Sequence, residues 1–258
     1  MSFNYGKHNY LNKSILNLKN VVIREYDMKD GGFSIIKSKK LLSDKEILYL
    51  EGLPKMERHI QIGKISGKDK ELGKALLDGF TEARKKFLDE NNVNTDFVLS
   101  VKKDAIYLIN HLAKVTEFDG YVFALKNQYS SYYYINKKEF YYSSWEDRLD
   151  VKGIGDEVVK KHEEYFLHTI RELMKLNEKQ DKTYMVNILK QVRHEYLNLE
   201  LDFEYYREMN AENTYRLKYI IGDALGGLEG VNDERVLESV DISYNYINYI
   251  IPLIGLII

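Results

Sequence analysis

Two aspartates stand where apolar, β-favouring runs stop. Asp27 closes the run VVIREYD, and Asp104 sits between Phe97–Val101 and Ala105–Ile109, directly after Lys102 and Lys103. Two carboxylates on adjacent strands can hold a pair of Mg²⁺ ions. In two-metal chemistry such ions lie about 3.5–4 Å apart and steady the attacking and leaving oxygens of phosphoryl transfer. Magnesium takes oxygen ligands and keeps several waters, so two aspartates plus substrate phosphates suffice. Aspartates at strand ends are also common in solvated turns, and spacing alone favours the turn.

Other chemistries find less support. There is no cysteine, which excludes disulfides, thiolate metal sites and cysteine nucleophiles. The six histidines sit in no catalytic context, and His162 and His168, six apart, do not share a helix face for zinc. Glu200, Asp202 and Glu204 read as a solvated helix surface. The segment GDALGGLEG lacks the lysine-serine/threonine ending of a phosphate-binding loop. The run YSSYYYINKKEFYY places tyrosines beside Lys137 and Lys138. Aromatics and cations together can hold nucleic acid, although alternate tyrosines packed on a core explain the pattern more simply.

The elements that must position these residues follow from periodicity. A strand is expected over 20–27 and a turn at Asp30-Gly31-Gly32. Ser43 and Glu46 have capping-box spacing and open a short helix. Residues 56–66 are expected to form a short strand. Leu72, Leu76, Phe80, Ala83 and Phe87 recur at helical spacing and predict a helix over 69–90. A strand–turn–strand follows near 97–109, then a second hairpin around INKKE within 119–144. Helices are expected over 155–176 and through much of 179–220, with a loop at 222–233. The class is α+β: an antiparallel sheet with its hairpin near 97–109, followed by a mainly helical C-terminal half. A division into 1–150 and 151–258 is expected.

Composition adds bounds. The 258 residues are 44% hydrophobic and 30% charged, as in a globular protein with a sizeable core. Residues 1–129 carry 22 Lys/Arg against 17 Asp/Glu, and 130–258 carry 16 against 23. The basic excess of the first half is compatible with a phosphate-rich partner. Heavy use of Tyr, Asn, Lys and Ile suggests an AT-rich genome, such as that of a virus or phage. The N-terminus has no apolar core of signal-peptide length, so the expected location is the cytoplasm, that of the host cell if the protein is viral. The apolar tail YINYIIPLIGLII (246–258) is shorter than the roughly 20 residues that span a bilayer. It is expected to be buried, or to dock on a protein partner; no transmembrane segment is expected.

The segment YDMKDGGFSII (26–36) resembles the first palm motif of family B DNA polymerases, with Asp27 at the catalytic aspartate and Ser34-Ile35-Ile36 at its ending. Residues 72–109 resemble the palm helix and hairpin of that family, with Asp104 on the second hairpin aspartate. DVKGIGDEVVKKH (150–162), which holds Lys152 and Gly153, is similar to the lysine-glycine turn and basic helix that lead into the thumb. The resemblance spans residues 20–175. It implies a palm-like sheet, Mg²⁺ held by Asp27 and Asp104, nucleotidyl transfer, and DNA or RNA as partner. It also implies backbone contacts by Lys152, Lys160 and Lys161, beside the Lys137 and Lys138 that the tyrosine-rich run offers to nucleic acid. Lys55, Arg58 and Lys64, with Lys102 and Lys103, are the cations nearest in sequence for a triphosphate. The departures are specific. Lys102 replaces the first hairpin aspartate, Gly32 replaces the tyrosine that excludes ribonucleotides, and the finger signature is missing. These favour a second class, a non-enzymatic subunit of a replication or transcription complex. A virus-encoded binder of host machinery is a third.

Overall fold

The computed structural model describes residues 9–135, 137–153, 167–198, 200 and 256, without the side chains of 196 and 197. The described elements run β1 (Asn9–Leu11), β2 (Asn17–Leu18), β3 (Ile23–Met28), α1 (Gly31–Lys39), α2 (Asp44–Glu51), α3 (Lys55–Lys68) and α4 (Lys70–Glu90). They continue with β4 (Val98–Lys102), β5 (Ala105–Ile109), β6 (Glu117–Phe118), β7 (Tyr121–Tyr129), β8 (Ser131–Ile135), β9 (Lys138–Ser143), β10 (Arg148–Lys152), α5 (His168–Glu178) and α6 (Lys182–Leu197). The fold is α+β. The chain forms two compact units, residues 1–14 with 22–128, and 15–21 with 129–258.

In the first unit a six-stranded sheet has the order β1-β4-β5-β3-β7-β6. β3 pairs antiparallel with β5, and β4 with β5. Strand side chains alternate between faces. Tyr26 and Met28 of β3 therefore join the helices in the core, while Glu25 and Asp27 point to the opposite face. The α4 stripe expected from the sequence is the main helical contribution to that core, with Leu72, Leu76, Phe80, Ala83 and Phe87 all buried. Asp69 caps α4 by accepting from the N–H groups of Glu71 and Leu72. The expected capping box opens α2: Glu46 N–H donates to Ser43 Oγ, and Ser43 N–H donates to the Glu46 carboxylate at 2.9 Å.

Two local expectations are corrected. Asp30-Gly31-Gly32 is the start of α1 rather than a turn, and the positive φ falls on Asp30 (49°), not on the glycines. Glycine is required at 31 by close packing, because a Cβ there would lie 2.7 Å from the Phe80 ring. Residues 56–66 are helical, within α3, rather than a strand. Pro54, with φ −55°, is preset to start the helix, and the Ile60/Ile62 alternation resolves into one buried and one exposed position.

In the second unit a four-stranded antiparallel sheet has the order β10-β9-β8-β2, and α5 packs on β9. The hairpin expected around INKKE is β8–β9. Tyr132, Tyr133, Tyr141 and Tyr142 are buried in it, so the tyrosine-rich run packs as core. A buried phenol usually finds a partner for its hydroxyl, although that of Tyr132 has none among the described residues. Tyr129, Tyr141 and Tyr142 donate to Asp150, Glu139 and Asp147 at 2.6, 2.7 and 3.0 Å. The expected helix over 155–176 is described only from His168, and that over 179–220 only as α6. The 222–233 loop lies outside the described residues. Of the apolar tail only Leu256 is described, and it is buried.

Candidate phosphate and metal site

The β3–β5 register brings the two aspartates together. Asp27 pairs with Ala105, and the next N–H, that of Met28, donates to the Asp104 carbonyl at 3.0 Å. Both residues therefore stand at the same end of neighbouring strands. Asp104 belongs to the two-residue turn Lys103-Asp104, in which Lys103 adopts φ 54°. A tight hairpin turn calls for such a left-handed residue.

That turn is gripped from below. Arg84 of α4 is 1% exposed, and its Nη1 donates to the Lys103 carbonyl while Nη2 donates to Thr81 Oγ1 at 3.3 Å. Burial pulls the guanidinium down to about 10, and the Asp104 carboxylate opposes that fall. A charged donor fixed under the turn thus holds the backbone that presents Asp104. Lys103 folds back with its ammonium 5.3 Å from the Phe80 ring centre.

Around Asp27 the charges conflict. Burial pushes its carboxyl above the usual range. Lys126 pulls it down, Asp104 and Glu25 push it up further, and Lys55 opposes the rise. Lys126 Nζ lies 3.7 Å from Asp27 and 3.8 Å from Glu25. Glu25 is buried and accepts from Asn127 Nδ2 at 2.6 Å. Lys102, Ala105 and Asp27 occupy paired positions on β4, β5 and β3, so Lys102 shares their face. The Asp104 and Glu25 carboxylates raise the proton affinity of Asp27, which is a third exposed, so negative charge gathers at this sheet end. Among the described residues no group of three or more His, Asp or Glu could hold a metal.

The remaining predicted cations separate. Lys55 opens α3 and acts on Asp27 through its field. Arg58 is committed to the fold: it pairs with Asp30, donates to the carbonyls of Leu50 and Leu53, and lies 4.6 Å over the Phe33 ring. Lys64 is exposed on α3. In the second unit Lys137 sits at the β8–β9 tip with φ 65°, and Lys138 donates to the Gly153 carbonyl at 2.6 Å. Lys152 pairs with Glu139 across β10 and β9. The three lysines share one end of that sheet. Lys160 and Lys161 lie outside the described residues.

A family model described as "Bacteriophage PBS1 gene 130 protein" matches residues 1–258. The chain belongs to that phage protein family. The match carries the phage origin that composition suggested. No curated protein matches the chain. Among the described residues no helix is long and apolar enough to cross a membrane.

Glu25, Lys126, Arg84 and His59 were not singled out by sequence. Glu25 could have been found from the i, i+2 alternation with Asp27 on one strand face. Arg84 could have been found as the charged residue between Phe80 and Leu88 on the apolar stripe of α4. Lys126 carried no signal, because its role depends on β7 lying beside β3.

Proposed function

We propose that this phage-family protein is a nucleic-acid-associated protein on a palm-like core, in which Asp27 and Asp104 hold Mg²⁺ against a nucleotide phosphate for nucleotidyl transfer. The observation that carries the reading is the β3–β5 pairing that sets the two carboxylates at one sheet end, in mutual electrostatic range. The chain order of strand, helices and hairpin, with β5 beside β3, supports the reading. When bound, Mg²⁺ supplies neutralisation of phosphate charge and steadies the exchanging oxygens. The chain's own groups present the ligands: Arg84 fixes the turn, the β3–β5 ladder fixes Asp27, and Lys126, Lys102 and Lys103 offer positive charge to phosphate oxygens. Lys137, Lys138 and Lys152 supply backbone contacts to DNA or RNA from the second unit.

A second reading is favoured by one observation. Lys126 lies against both Asp27 and Glu25, and Lys102 stands on the same rung, so cations already offset the carboxylates. On that reading the protein is a non-enzymatic subunit that binds nucleic acid within a replication or transcription complex. Mn²⁺ binding followed by electron paramagnetic resonance, with Mg²⁺- or Mn²⁺-dependent primer extension, separates the two. Nucleotidyl transfer predicts that wild type binds Mn²⁺ and extends a primer, and that Asp27→Asn and Asp104→Ala lose both. Primer extension that survives Asp104→Ala sinks the catalytic assignment. Salt-sensitive nucleic-acid binding without extension leaves the subunit reading.

A further inference from the structure

A cavity of about 400 Å³ lies on the helical side of the hairpin tip, between the start of α1, α3 and α4. Its volume falls within the range of small-molecule sites, roughly 300–1,000 Å³. One part of its wall is apolar, built from Ile62, Leu76, Leu77 and Phe80. Another part is bare backbone at Gly31, Gly32, Gly63 and Gly73. Its polar groups are Lys103, Asp104, Ser66 and His59.

Each part has a physical reading. Gly63 lies inside α3, where glycine costs about 1 kcal/mol relative to alanine. A Cβ there would meet nothing within 4 Å, so no packing within the protein requires the missing side chain. Its absence widens the cavity. His59 is held in place: its Nε2 lies 2.9 Å from Asp30 Oδ1, and Asp30 is in turn clamped by Arg58. Asp30 can only accept, so Nε2–H donates to it, and Nδ1 is left to donate to an anion when the ring is an imidazolium. Lys103 spans the Phe80 ring, and Asp104 lies beside it in the same turn. An apolar slot walled by backbone accepts a planar ring, and a lysine with a fixed imidazolium accepts an anion.

We infer that this cavity binds a mononucleotide, with its base against Ile62, Leu76 and Phe80 and its phosphates at Lys103 and His59. The inference rests on the proposed function in one respect: Asp104, which lines the cavity, is also one of the two proposed metal ligands. The sequence expectation named Lys55, Arg58, Lys64, Lys102 and Lys103, and of these only Lys103 lines the cavity. Arg58 instead holds Asp30, and Lys64 does not line the cavity.

The test is direct binding of ATP, GTP, CTP and UTP, and of the parent nucleosides, by calorimetry with the full chain, in Mg²⁺ and in EDTA. Gly63→Phe places a ring in open space and removes a helix glycine, so it fills the cavity while the fold is kept. A thermal melt verifies that. It is expected to weaken triphosphate binding by about tenfold or more, as loss of one buried ring's transfer energy requires, and to leave Mn²⁺ affinity unchanged. Lys103→Asn keeps a residue that tolerates positive φ and is expected to erase the preference for triphosphate over nucleoside. His59→Ala is expected to weaken triphosphate binding severalfold, about the worth of one hydrogen bond to a charged group. Unchanged binding by a folded Gly63→Phe overturns the pocket, as does equal affinity for nucleoside and triphosphate in wild type. Wild type that binds Mn²⁺ but no nucleotide overturns the pocket alone. Wild type that binds nucleotide in EDTA but no Mn²⁺ overturns the metal site alone.

Discussion

Asp27 and Asp147 are both aspartates beside a lysine, each at or near the end of a strand, yet their carboxyls are displaced in opposite directions. Asp147 accepts from the Tyr142 hydroxyl at 3.0 Å and has Lys175 at 3.6 Å. The Tyr142 bond chiefly holds its carboxyl below the usual range, with Lys175 and Arg171 adding to the fall. Asp27 has Lys126 at a similar 3.7 Å, but burial and the Asp104 and Glu25 carboxylates outweigh that cation. One lysine beside an aspartate therefore decides nothing. What differs is whether a hydrogen-bond donor completes the site or another acid competes for the same cation. Asp147 ties the β9–β10 turn to α5 and is satisfied within the fold. Asp27 carries a charge that its burial and two neighbouring acids oppose.

The largest expected effect sharpens the Asp27 side. Replacing Arg84 by Met takes the charged donor from the part-buried Lys103 carbonyl, and a hydrogen bond to a charged group is worth about 1.5–3 kcal/mol. Urea denaturation should show that loss, and Mn²⁺ affinity should fall with it because Asp104 is no longer fixed. A variant that loses stability but binds Mn²⁺ as tightly as wild type means that the turn does not depend on Arg84 for its geometry. Gly79→Ala offers a control of similar size. A Cβ there would lie 2.4 Å from Ile35, and overpacking costs about 1–3 kcal/mol, but it touches neither carboxylate, so Mn²⁺ affinity should hold in the folded fraction.

A smaller pair of effects carries the comparison itself. Asp147→Asn weakens the Tyr142 contact in a half-exposed setting and should destabilise by about 0.5 kcal/mol, with no change in Mn²⁺ binding. Asp27→Asn removes a charge that the fold opposes. It should stabilise by up to about 1 kcal/mol, the upper end for a charge screened by water, while abolishing Mn²⁺ binding. If both variants destabilise alike, the contrast between the two aspartates is wrong.

How far sequence could anticipate this follows from the range of the forces involved. The β4–β5 hairpin, the α4 stripe and the α2 cap were legible because each rests on residues a few positions apart. The pairing of Asp27 with the Asp104 turn joins residues 77 apart in the chain, so no local pattern fixes it. α3 was misread because Ile60, Ile62 and Ile65 fit both a strand and a helix, and the choice depends on α3 packing against α4. Gly31 signalled a turn by its type, whereas its cause is the Phe80 ring, which local sequence does not contain. Lys126 and His59 have roles set by residues far along the chain, so their residue types alone could not reveal them, whereas Arg84 stands out as a charge on the apolar stripe of α4.

The smallest effect is in pH. A carboxyl whose folded value lies above its unfolded one adds no penalty at acid pH. The penalty grows as pH rises from the unfolded value through the folded one, and is constant above it. Asp27 behaves this way. Asp147 has the opposite sign: its contribution is present above the unfolded value and is lost as pH falls through the depressed folded value. Subtracting Asp27→Asn from wild type in urea melts between pH 7 and pH 3 should therefore give a difference that shrinks on acidification. Mn²⁺ affinity of wild type should fall over the upper part of the same window, as the raised Asp27 takes up its proton. Subtracting Asp147→Asn should give a difference that persists to lower pH than the Asp27 difference before it fades. Equal midpoints for the two differences would mean that Asp104 and Glu25 do not act on Asp27, and the electrostatic case for a cation at that sheet end would go with them.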